Sequence, residues 1–342
     1  MFNLSRKEAK YHGDQAVLSS SLNFAVNIRS NSPPDWLINK LSLRLNKIGN
    51  YPGKIDRLYV LEKLAIRHGC NVSEICLLNG STEGFSLLSR LQPKLAALVA
   101  PSFTEPEAIF TESNIPIHHL ILPIPFEMSS ELMTPDLADL VVVGNPTNPT
   151  GVLHSRENIL SLRRPGRLLI IDEAFSDMIM DQNEVLTSHF SSDILIFRSL
   201  TKIWSLAGLR IGYAIGPSYI IRHLNSLQSN WPISTLQLEA ISISITPRAL
   251  FEADVYAFYL KTMREIMEIV INEISSNMIK SIAPFILFKV KNIKAILTLL
   301  KNKDIAIRDC STFIGLPEGY LRATVKPEWP ILIDTIAENI SV

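Results

Sequence analysis

Short apolar runs that alternate with stretches of helical periodicity organise the chain from residue 75 onward. Seven of these runs predict buried strands, because a strand covered on both faces reads as a continuous hydrophobic segment. The segments between them predict helices that cross over a sheet. The alternation predicts an α/β fold, with a three-layer α/β/α large domain around a mainly parallel seven-stranded sheet. The strands are expected at residues 75–78, 95–100, 117–122, 139–144, 167–172, 194–198 and 211–215.

The two ends of the chain carry other patterns. Residues 1–34 show no regular periodicity and end in tandem prolines, which exclude a helix until Asp35 can cap the next one. Long stretches with apolar residues at helical spacing predict further helices, and three more runs near the C-terminus read as strands. The helices are expected over 35–48, 55–69 and 218–275, and the strands over 284–290, 304–308 and 320–325.

The length of the chain predicts more than one structural unit. At 342 residues, it exceeds the usual size of a single hydrophobic core. We expect a large domain over residues 41–245. The N-terminal arm, residues 1–40, is expected to join residues 246–342 in a smaller α+β domain.

Composition and charge narrow the class of protein. Apolar residues make up 47% of the chain and charged residues 19%, as in a globular protein with a large core. The 33 basic residues balance 33 acidic ones, which argues against nucleic acid or an anionic membrane as a partner. No apolar run reaches the roughly 18 residues of a membrane helix, and the polar start predicts no signal peptide.

The cysteines and the apolar excess indicate location and assembly. The three cysteines fit no disulfide or zinc spacing, which indicates reduced thiols in a cytoplasmic protein without a metal site. The surplus of apolar residues indicates a subunit interface, and we expect an oligomer.

The segment around Lys202 concentrates the chemistry of the chain. Lys202 follows two hydroxyl residues, Ser199 and Thr201, and precedes Arg210 by eight positions. A lysine in such surroundings can form a Schiff base with an aldehyde whose phosphate ester the neighbours hold. Upstream, Asp172 ends an apolar run, where a carboxylate can pair with a protonated ring nitrogen. The lysine, the phosphate ligands and the acid together predict a site for pyridoxal 5'-phosphate (PLP).

Two further strand ends carry candidate ligands. Ser81 and Thr82 open a predicted helix directly after a strand, where backbone N–H groups and the helix dipole favour a phosphate. Read alone, that segment is more often an ordinary helix cap with a capping-box glutamate. After the strand at 139–144, two Asn-Pro steps make a rigid turn. This turn would hold the Asn148 amide toward a ring hydroxyl, or serve only as a stiff connection.

Other candidates have plain alternatives. Phe103 follows a strand and would stack on a cofactor ring, although a lone phenylalanine there is more often part of the core. Arg322 on a short strand would bind a substrate carboxylate, or lie exposed on the surface. His12 and Arg29 in the N-terminal arm would meet a substrate phosphate or nothing. Glu173 is expected to have a structural role.

These motifs resemble the fold-type I PLP enzymes of aminotransferase class I/II, most closely the branch that contains histidinol-phosphate aminotransferase and threonine-phosphate decarboxylase. The resemblance implies that Lys202 forms the internal aldimine and shuttles protons, that Asp172 pairs with the pyridinium, and that Asn148 bonds the phenolic oxygen. It further implies a phosphate site of Ser81, Thr82, Ser199 and Arg210, completed by Tyr51 of the partner subunit in a homodimer. Phe103 would stack on the ring, and Arg322 would bind the substrate carboxylate. Thr201 is a further candidate for cofactor binding, and Asn27, Arg29 and His12 are further candidates for substrate binding.

Departures from the family pattern concern the substrate. Phe175 stands where histidinol-phosphate aminotransferases usually have a tyrosine, so one hydrogen bond to the phenolic oxygen is missing. Arg29 falls where the decarboxylase arm usually runs Asn-Pro-Leu-Gly, whereas residues 308–316 look more like the decarboxylase. The resemblance implies transfer of an amino group from a small, phosphorylated or polar amino compound to a 2-oxo acid. Decarboxylation of L-threonine O-3-phosphate is the first alternative, and a non-catalytic PLP-binding protein is the second.

Overall fold

The computed structural model describes residues 22–180, 182–187 and 191–340. Its centre is a seven-stranded sheet, and each of the seven predicted strands is confirmed to within one residue of its expected bounds. In chain order the strands are β1 (Leu22–Asn23) in the N-terminal arm, followed in the sheet by β2 (Ile75–Asn79), β3 (Ala96–Ala100), β4 (Ile117–Ile121), β5 (Leu140–Gly144), β6 (Leu168–Asp172), β7 (Ile194–Ser199) and β8 (Ile211–Ile215).

The direction of one strand determines what meets at the carboxyl end of the sheet. The strand order is β2-β8-β7-β6-β5-β3-β4, and β8 is antiparallel to both of its neighbours, whereas the other pairs are parallel. The start of β8 therefore lies beside the ends of β2 and β7, with Ile211 opposite Asn79 and Gly212 opposite Ser199. In open α/β sheets, ligands bind beyond the carboxyl ends of the strands.

Helices cover both faces of this sheet and complete the three layers. Consecutive residues of β2 point to opposite faces of the sheet. Leu78 packs in the cluster formed with α3, α4 and α6, whereas Leu77 packs in the cluster formed with α2, α7 and α8. No helix in the described part of the chain combines the length and hydropathy needed to cross a bilayer. The helices are α1 (Asp35–Ser42), α2 (Lys54–His68), α3 (Ser81–Ser89), α4 (Glu105–Glu112), α5 (Arg156–Leu160), α6 (Ser218–Leu227), α7 (Thr235–Ser244), α8 (Pro247–Ile274), α9 (Ile293–Asn302) and α10 (Trp329–Ile340).

Helix caps locate the ends of the predicted helices. The region 218–275, expected to hold helices with long connections, contains α6, α7 and α8, because Ser234 caps α7 and Thr246 caps α8 ahead of Pro247. The connection between α7 and α8 is shorter than expected. The helix expected over 35–48 ends at Ser42 and is followed by a short 3-10 turn. Asp35 is its first residue rather than its cap, and Pro34 holds the cap position.

A second sheet forms in the C-terminal part of the chain. It is antiparallel, with the order β12-β13-β10-β9, and the predicted strand at 304–308 is split into β11 and β12. β11 pairs in parallel with β1, so the N-terminal arm is joined to the C-terminal strands. This pairing supports the division that we propose between residues 40 and 41 and between 245 and 246. The strands are β9 (Asn277–Ile279), β10 (Phe285–Lys289), β11 (Ile305–Ala306), β12 (Arg308–Asp309) and β13 (Tyr320–Thr324).

Candidate functional site

A cavity opens at the carboxyl end of the large sheet, where β2, β5, β6 and β7 end and β8 begins. It brings together most of the residues predicted to bind a cofactor, although they are far apart in the sequence. The residues that line it are Gly80, Ser81, Thr82, Ser102, Phe103, Gly144, Pro146, Asn148, Asp172, Ala174, Phe175, Ser199, Thr201, Lys202 and Arg210.

One wall of the cavity has the features of a phosphate site. The N-terminus of α3 begins at Ser81, directly after Gly80, whose φ of +77° is a conformation that favours glycine. A Cβ on Gly80 would lie 2.9 Å from Arg210 Nη2, so the glycine leaves room for the guanidinium beside the helix end. Arg210 itself has a φ of +52°, and its carbonyl accepts a hydrogen bond from Gln237 Nε2 (2.9 Å). A positive charge and free helix N–H groups therefore face the same space.

Hydroxyl groups fix the turn that carries Lys202. Ser199 Oγ donates to Thr201 Oγ1 (3.0 Å), and Thr201 Oγ1 donates to the carbonyl of Ile211 on β8 (3.1 Å). The backbone N–H of Thr201 returns to Ser199 Oγ (3.3 Å). The turn is thus tied to two adjacent strands, and it presents Lys202 to the cavity.

Asp172 is a carboxylate in an apolar position at the end of β6. Burial raises the pKa of its carboxyl to about 6, although a hydrogen bond from the Ala174 N–H (3.2 Å) and the positive charge of Lys202 act in the opposite direction. A carboxylate that is costly to ionise becomes stable when a cation is bound against it. Its location and charge suit a protonated ring nitrogen.

A buried ionic network lies behind the cavity. Glu173 accepts hydrogen bonds from Arg198 Nη1 (3.1 Å) and from the Thr187 hydroxyl. Arg198 also donates to Asp177, which pairs with Arg67 (2.6 Å). Burial would raise the pKa of Asp177, but the two guanidiniums outweigh it and lower the pKa to about 2. The network ties the end of β6 to that of β7, in agreement with the structural role expected of Glu173.

A buried histidine, His154, stabilises the turn that carries Asn148. The Thr147 hydroxyl donates to the carbonyl of Gly144 (2.7 Å), so His154 Nε2–H donates to the Thr147 oxygen (3.0 Å). The other ring nitrogen, Nδ1, accepts from the N–H of Met128 (3.3 Å). Burial lowers the pKa of His154 to about 4, so the ring is neutral at neutral pH.

Arg322 approaches Asn148 from the small sheet. Its Nη1 donates to Asn148 Oδ1 (2.5 Å), which leaves the Asn148 NH₂ group to face a ligand, and its Nη2 donates to the carbonyl of Ala25 (2.6 Å). The arginine is 5% exposed, in contrast to a surface arginine, and burial lowers its pKa to about 10. Within the described residues it forms no ion pair with a carboxylate. A buried cation without a counterion is costly, so this position favours an anionic ligand.

The structure places the remaining predicted residues outside the cavity lining. Tyr51 is 75% exposed and stacks on Trp231, with ring centroids 4.3 Å apart. Asn27 is buried and its Oδ1 accepts from the Thr324 hydroxyl (2.8 Å). Arg29 forms an ion pair on α8, and His12 lies outside the described residues.

The sequence did not assign Arg308 to the site and did not reveal how Phe175 packs. Arg308 lies opposite Arg322 in the pairing of β12 with β13, and it is also buried, with its guanidinium 5.1 Å from the centroid of the Phe313 ring. The sequence did contain an indication of this residue, because Arg308 directly follows an apolar run within a predicted strand. Phe175 packs edge-on against Phe285 (5.1 Å between centroids), a contact between distant segments that no local pattern reveals.

Comparisons with known proteins identify the family of the chain. A family model described as aminotransferase class I and II matches residues 22–331. A histidinol-phosphate aminotransferase of Mycobacterium tuberculosis is 44% identical over 330 residues, which are 96% of this chain and 90% of that protein. The solved structure of a histidinol-phosphate aminotransferase from Clostridium acetobutylicum has a TM-score of 0.83 at 23% identity, covering 92% of this chain and 98% of its own. That of L-threonine-O-3-phosphate decarboxylase from Porphyromonas gingivalis has a TM-score of 0.82 at 21% identity, covering 93% and 99%.

Proposed function

Because the chain belongs to the aminotransferase class I and II family, we propose that it is a PLP-dependent aminotransferase that transfers an amino group from a small anionic amino compound to a 2-oxo acid. Members of this family depend on PLP. The observation that carries the proposal is the single cavity in which Lys202, Asp172 and the phosphate-site residues meet.

The residues of the cavity fit PLP. The Arg210 guanidinium, which Gly80 allows to lie close to the N-terminus of α3, suits the phosphate, with Ser81, Thr82, Ser199 and Thr201 around it. Bound PLP supplies an electron sink for the charge left on the substrate when a bond at its α-carbon breaks. Lys202 would hold the aldehyde carbon, and its amine, once released, would move the proton at the α-carbon.

Three other side chains would hold the ring. Asp172 would keep the ring nitrogen protonated, and that cation would in turn stabilise the buried carboxylate. The Asn148 NH₂ group, oriented by the bond from Arg322 to Asn148 Oδ1, would donate to the ring oxygen. Phe103 would stack on the ring, whereas Phe175 has no hydroxyl to offer the ring oxygen.

Residues on and beside the small sheet would bind the substrate. Arg322 is the proposed ligand of its anionic group, because it is buried without a carboxylate partner among the described residues. Asn27, packed against Thr324 of the same sheet, lies beside this position. We keep His12 as a proposed substrate residue on sequence grounds alone.

Decarboxylation of a phosphorylated threonine-like amino acid is the second candidate. It is favoured by the pair Arg308 and Arg322, two buried guanidiniums at opposed register positions. A compound with both a carboxylate and a phosphate would place an anionic group near each guanidinium, whereas an amino phosphate without a carboxylate offers only one. The 44% identity to a histidinol-phosphate aminotransferase supports the first candidate.

Two copies are proposed to form the working unit in the cytoplasm. Apolar side chains exposed on a single chain cluster on α1, α2 and the segment between them, which is typical of a subunit interface. Tyr51 lies in this region, so Tyr51 of the partner subunit would complete the phosphate site. Reduced thiols fit the cytoplasm, since the three cysteines are unpaired. The exposed residues are Ile38, Leu43, Leu45, Ile48, Tyr51, Ile55, Leu58, Tyr59 and Ile66.

A single-turnover experiment on purified holoprotein tests the function. The protein is mixed with histidinol phosphate, O-phospho-L-threonine, glutamate or serine, without an amino acceptor. Formation of pyridoxamine phosphate together with a carbonyl product would establish a transaminase and identify its donor. Carbon dioxide release with the cofactor still in its aldehyde form would establish the decarboxylase instead. If no compound changes the cofactor or is itself changed, the protein only binds PLP.

The assignment of Lys202 has its own test. Lys202→Ala should abolish the covalent attachment of PLP that sodium borohydride traps in the unchanged protein, because no other lysine among the described residues lines the cavity. Mass spectrometry of peptides after reduction measures the attachment, with Lys261→Ala, on the exposed side of α8, as the matched control. A trapped adduct on another lysine in the Lys202→Ala protein would contradict the assignment.

A further inference from the structure

The Arg29 side chain is held on α8 rather than in the cavity. Its guanidinium forms an ion pair with Glu252 Oε1 (2.8 Å) and lies 4.5 Å from the ring centroid of Tyr256 and 5.7 Å from that of Trp204. Glu252 Oε2 accepts from the indole N–H of Trp36 (2.8 Å), so both of its oxygens are engaged. We call Arg29, Glu252, Tyr256 and Trp204 the arm anchor.

The backbone at the same position touches the lysine turn. The N–H of Arg29 donates to the carbonyl of Lys202 itself (3.0 Å), and the N–H of Ser30 donates to Ser205 Oγ (2.9 Å). The Tyr256 hydroxyl donates to the carbonyl of Arg29 (3.2 Å). The anchor therefore fixes the arm against the residue proposed to hold the cofactor.

A few residues upstream, the arm touches the proposed substrate ligand. The carbonyl of Ala25 accepts from Arg322 Nη2 (2.6 Å), and the side chain of Asn27 is held by Thr324. Four residues of extended chain span at most about 14 Å, so Ala25 and Asn27 lie within that distance of Arg29. One short segment thus connects the lysine turn with Arg322.

We propose that Arg29 is a positioning residue for the substrate and not a ligand of it. The arm anchor holds residues 25–30 in place, the Ala25 carbonyl then orients the Arg322 guanidinium, and Arg322 selects the anionic group of the amino compound. This inference rests on the proposed function, because it takes Arg322 as the anion ligand and Lys202 as the cofactor lysine.

The test compares two variants that break the same ion pair from opposite sides. Arg29→Met removes the cation and keeps much of the side-chain length, whereas Glu252→Gln keeps Arg29 and removes its counterion. Glu265→Gln, an exposed change on the same helix, is the control. Holoprotein of each is assayed for PLP retention, for binding of inorganic phosphate by calorimetry, for the half-saturating concentration and maximal rate of the single-turnover reaction, and for hydrogen exchange of residues 24–31.

Both anchor variants should weaken phosphate binding and raise the half-saturating concentration about tenfold, while the maximal rate and PLP affinity stay within about threefold. Hydrogen exchange should increase in residues 24–31 and remain unchanged in β2 and β3. Arg29→Lys, which keeps the charge, should recover part of the loss. Tyr256→Phe, which removes a single hydrogen bond and keeps the ring, should give a smaller change of the same kind in a fully folded protein.

Other results would overturn the proposal. If Arg29 binds substrate directly, Glu252→Gln frees it and leaves affinity unchanged or improved, so opposite effects of the two variants exclude an anchor. If the cluster is only structural, PLP affinity, phosphate binding and exchange across the whole molecule change together. Phosphate binding and hydrogen exchange are measured without turnover, so they remain decisive even if none of the amino compounds reacts and the proposed function fails.

Discussion

At the scale of single residues, Asp172 shows how a functional group opposes folding. Its pKa is raised by burial to about 6, so the unfolded chain, in which the carboxyl has its ordinary pKa near 3.8, ionises it more easily. The stability of the cofactor-free protein therefore falls as pH rises from about 4 to about 6, by up to about 3 kcal/mol. Above that range the penalty is constant.

Replacement of Asp172 should reverse this penalty. Asp172→Asn is expected to stabilise the cofactor-free protein by up to about 3 kcal/mol at pH 8 and hardly at all at pH 4, while weakening PLP binding at least about tenfold. Urea unfolding at the two pH values and PLP titration measure both effects, with the exposed Asp136→Asn as control. A variant that is less stable than the unchanged protein at pH 8 would refute the argument.

Candidate site residues at the ends of predicted strands could be identified from the sequence. Residues that are held in place by distant segments could not. Asp172 and Ser199 were identifiable because they lie at the ends of predicted strands, and Asn148 because it lies in the turn after one, and parallel strands bring such positions together. Arg29 carried no local signal of its ion pair, since Glu252 lies more than two hundred positions away on a helix that packs against the arm only after folding.

At the scale of elements, the turn after β5 depends on the neutral form of His154. Burial lowers the pKa of this ring to about 4, whereas the unfolded chain has the ordinary value near 6.5. Stability is therefore full above pH 6.5 and is lost as pH falls toward 4, because the unfolded state takes up the proton first. At pH 5 this histidine alone removes about 2 kcal/mol of stability.

A variant without the titrating ring should lose that dependence. His154→Gln is expected to be less stable than the unchanged protein at pH 7, because it gives up contacts to Thr147 and Met128, and the difference should narrow by about 2 kcal/mol at pH 5. Denaturant unfolding at both pH values measures it, with His118→Gln on the exposed side of β4 as control. A stability difference that is the same at pH 5 as at pH 7 would argue against the neutral buried ring.

The sequence predicted the existence of elements better than their ends. All seven strands of the large sheet were found because buried runs leave a strong pattern, whereas the boundaries inside 218–275 required reading of caps at Ser234 and Thr246. The split into β11 and β12 follows from pairing with different partners, which is information that a single run of residues does not contain.

At the scale of the whole molecule, the exposed apolar residues of α2 test the proposed dimer. Ile55→Glu, at a side chain that is 84% exposed in the single chain, should reduce the mass in solution to that of a monomer and weaken PLP binding at least about tenfold, because Tyr51 of the partner subunit would be lost. Light scattering and PLP titration measure these effects, with Ile331→Glu on the exposed side of α10 as the matched control. A monomer that retains normal PLP affinity would show that PLP binding does not require the dimer, and it would contradict the role proposed for Tyr51.

The reversed strand β8 also has a consequence for the order of folding. β2 hydrogen bonds only to β8 within the sheet, and about 130 residues separate the two strands, so the loop that this pairing closes is long. The parallel strands β3 to β7 connect neighbouring segments, and their pairings can form earlier. We therefore expect the phosphate wall, which lies between the start of α3 and Arg210, to form only when β2 pairs with β8. Cofactor binding would then follow completion of the fold, because a nascent chain that ends before residue 210 lacks both Arg210 and β8.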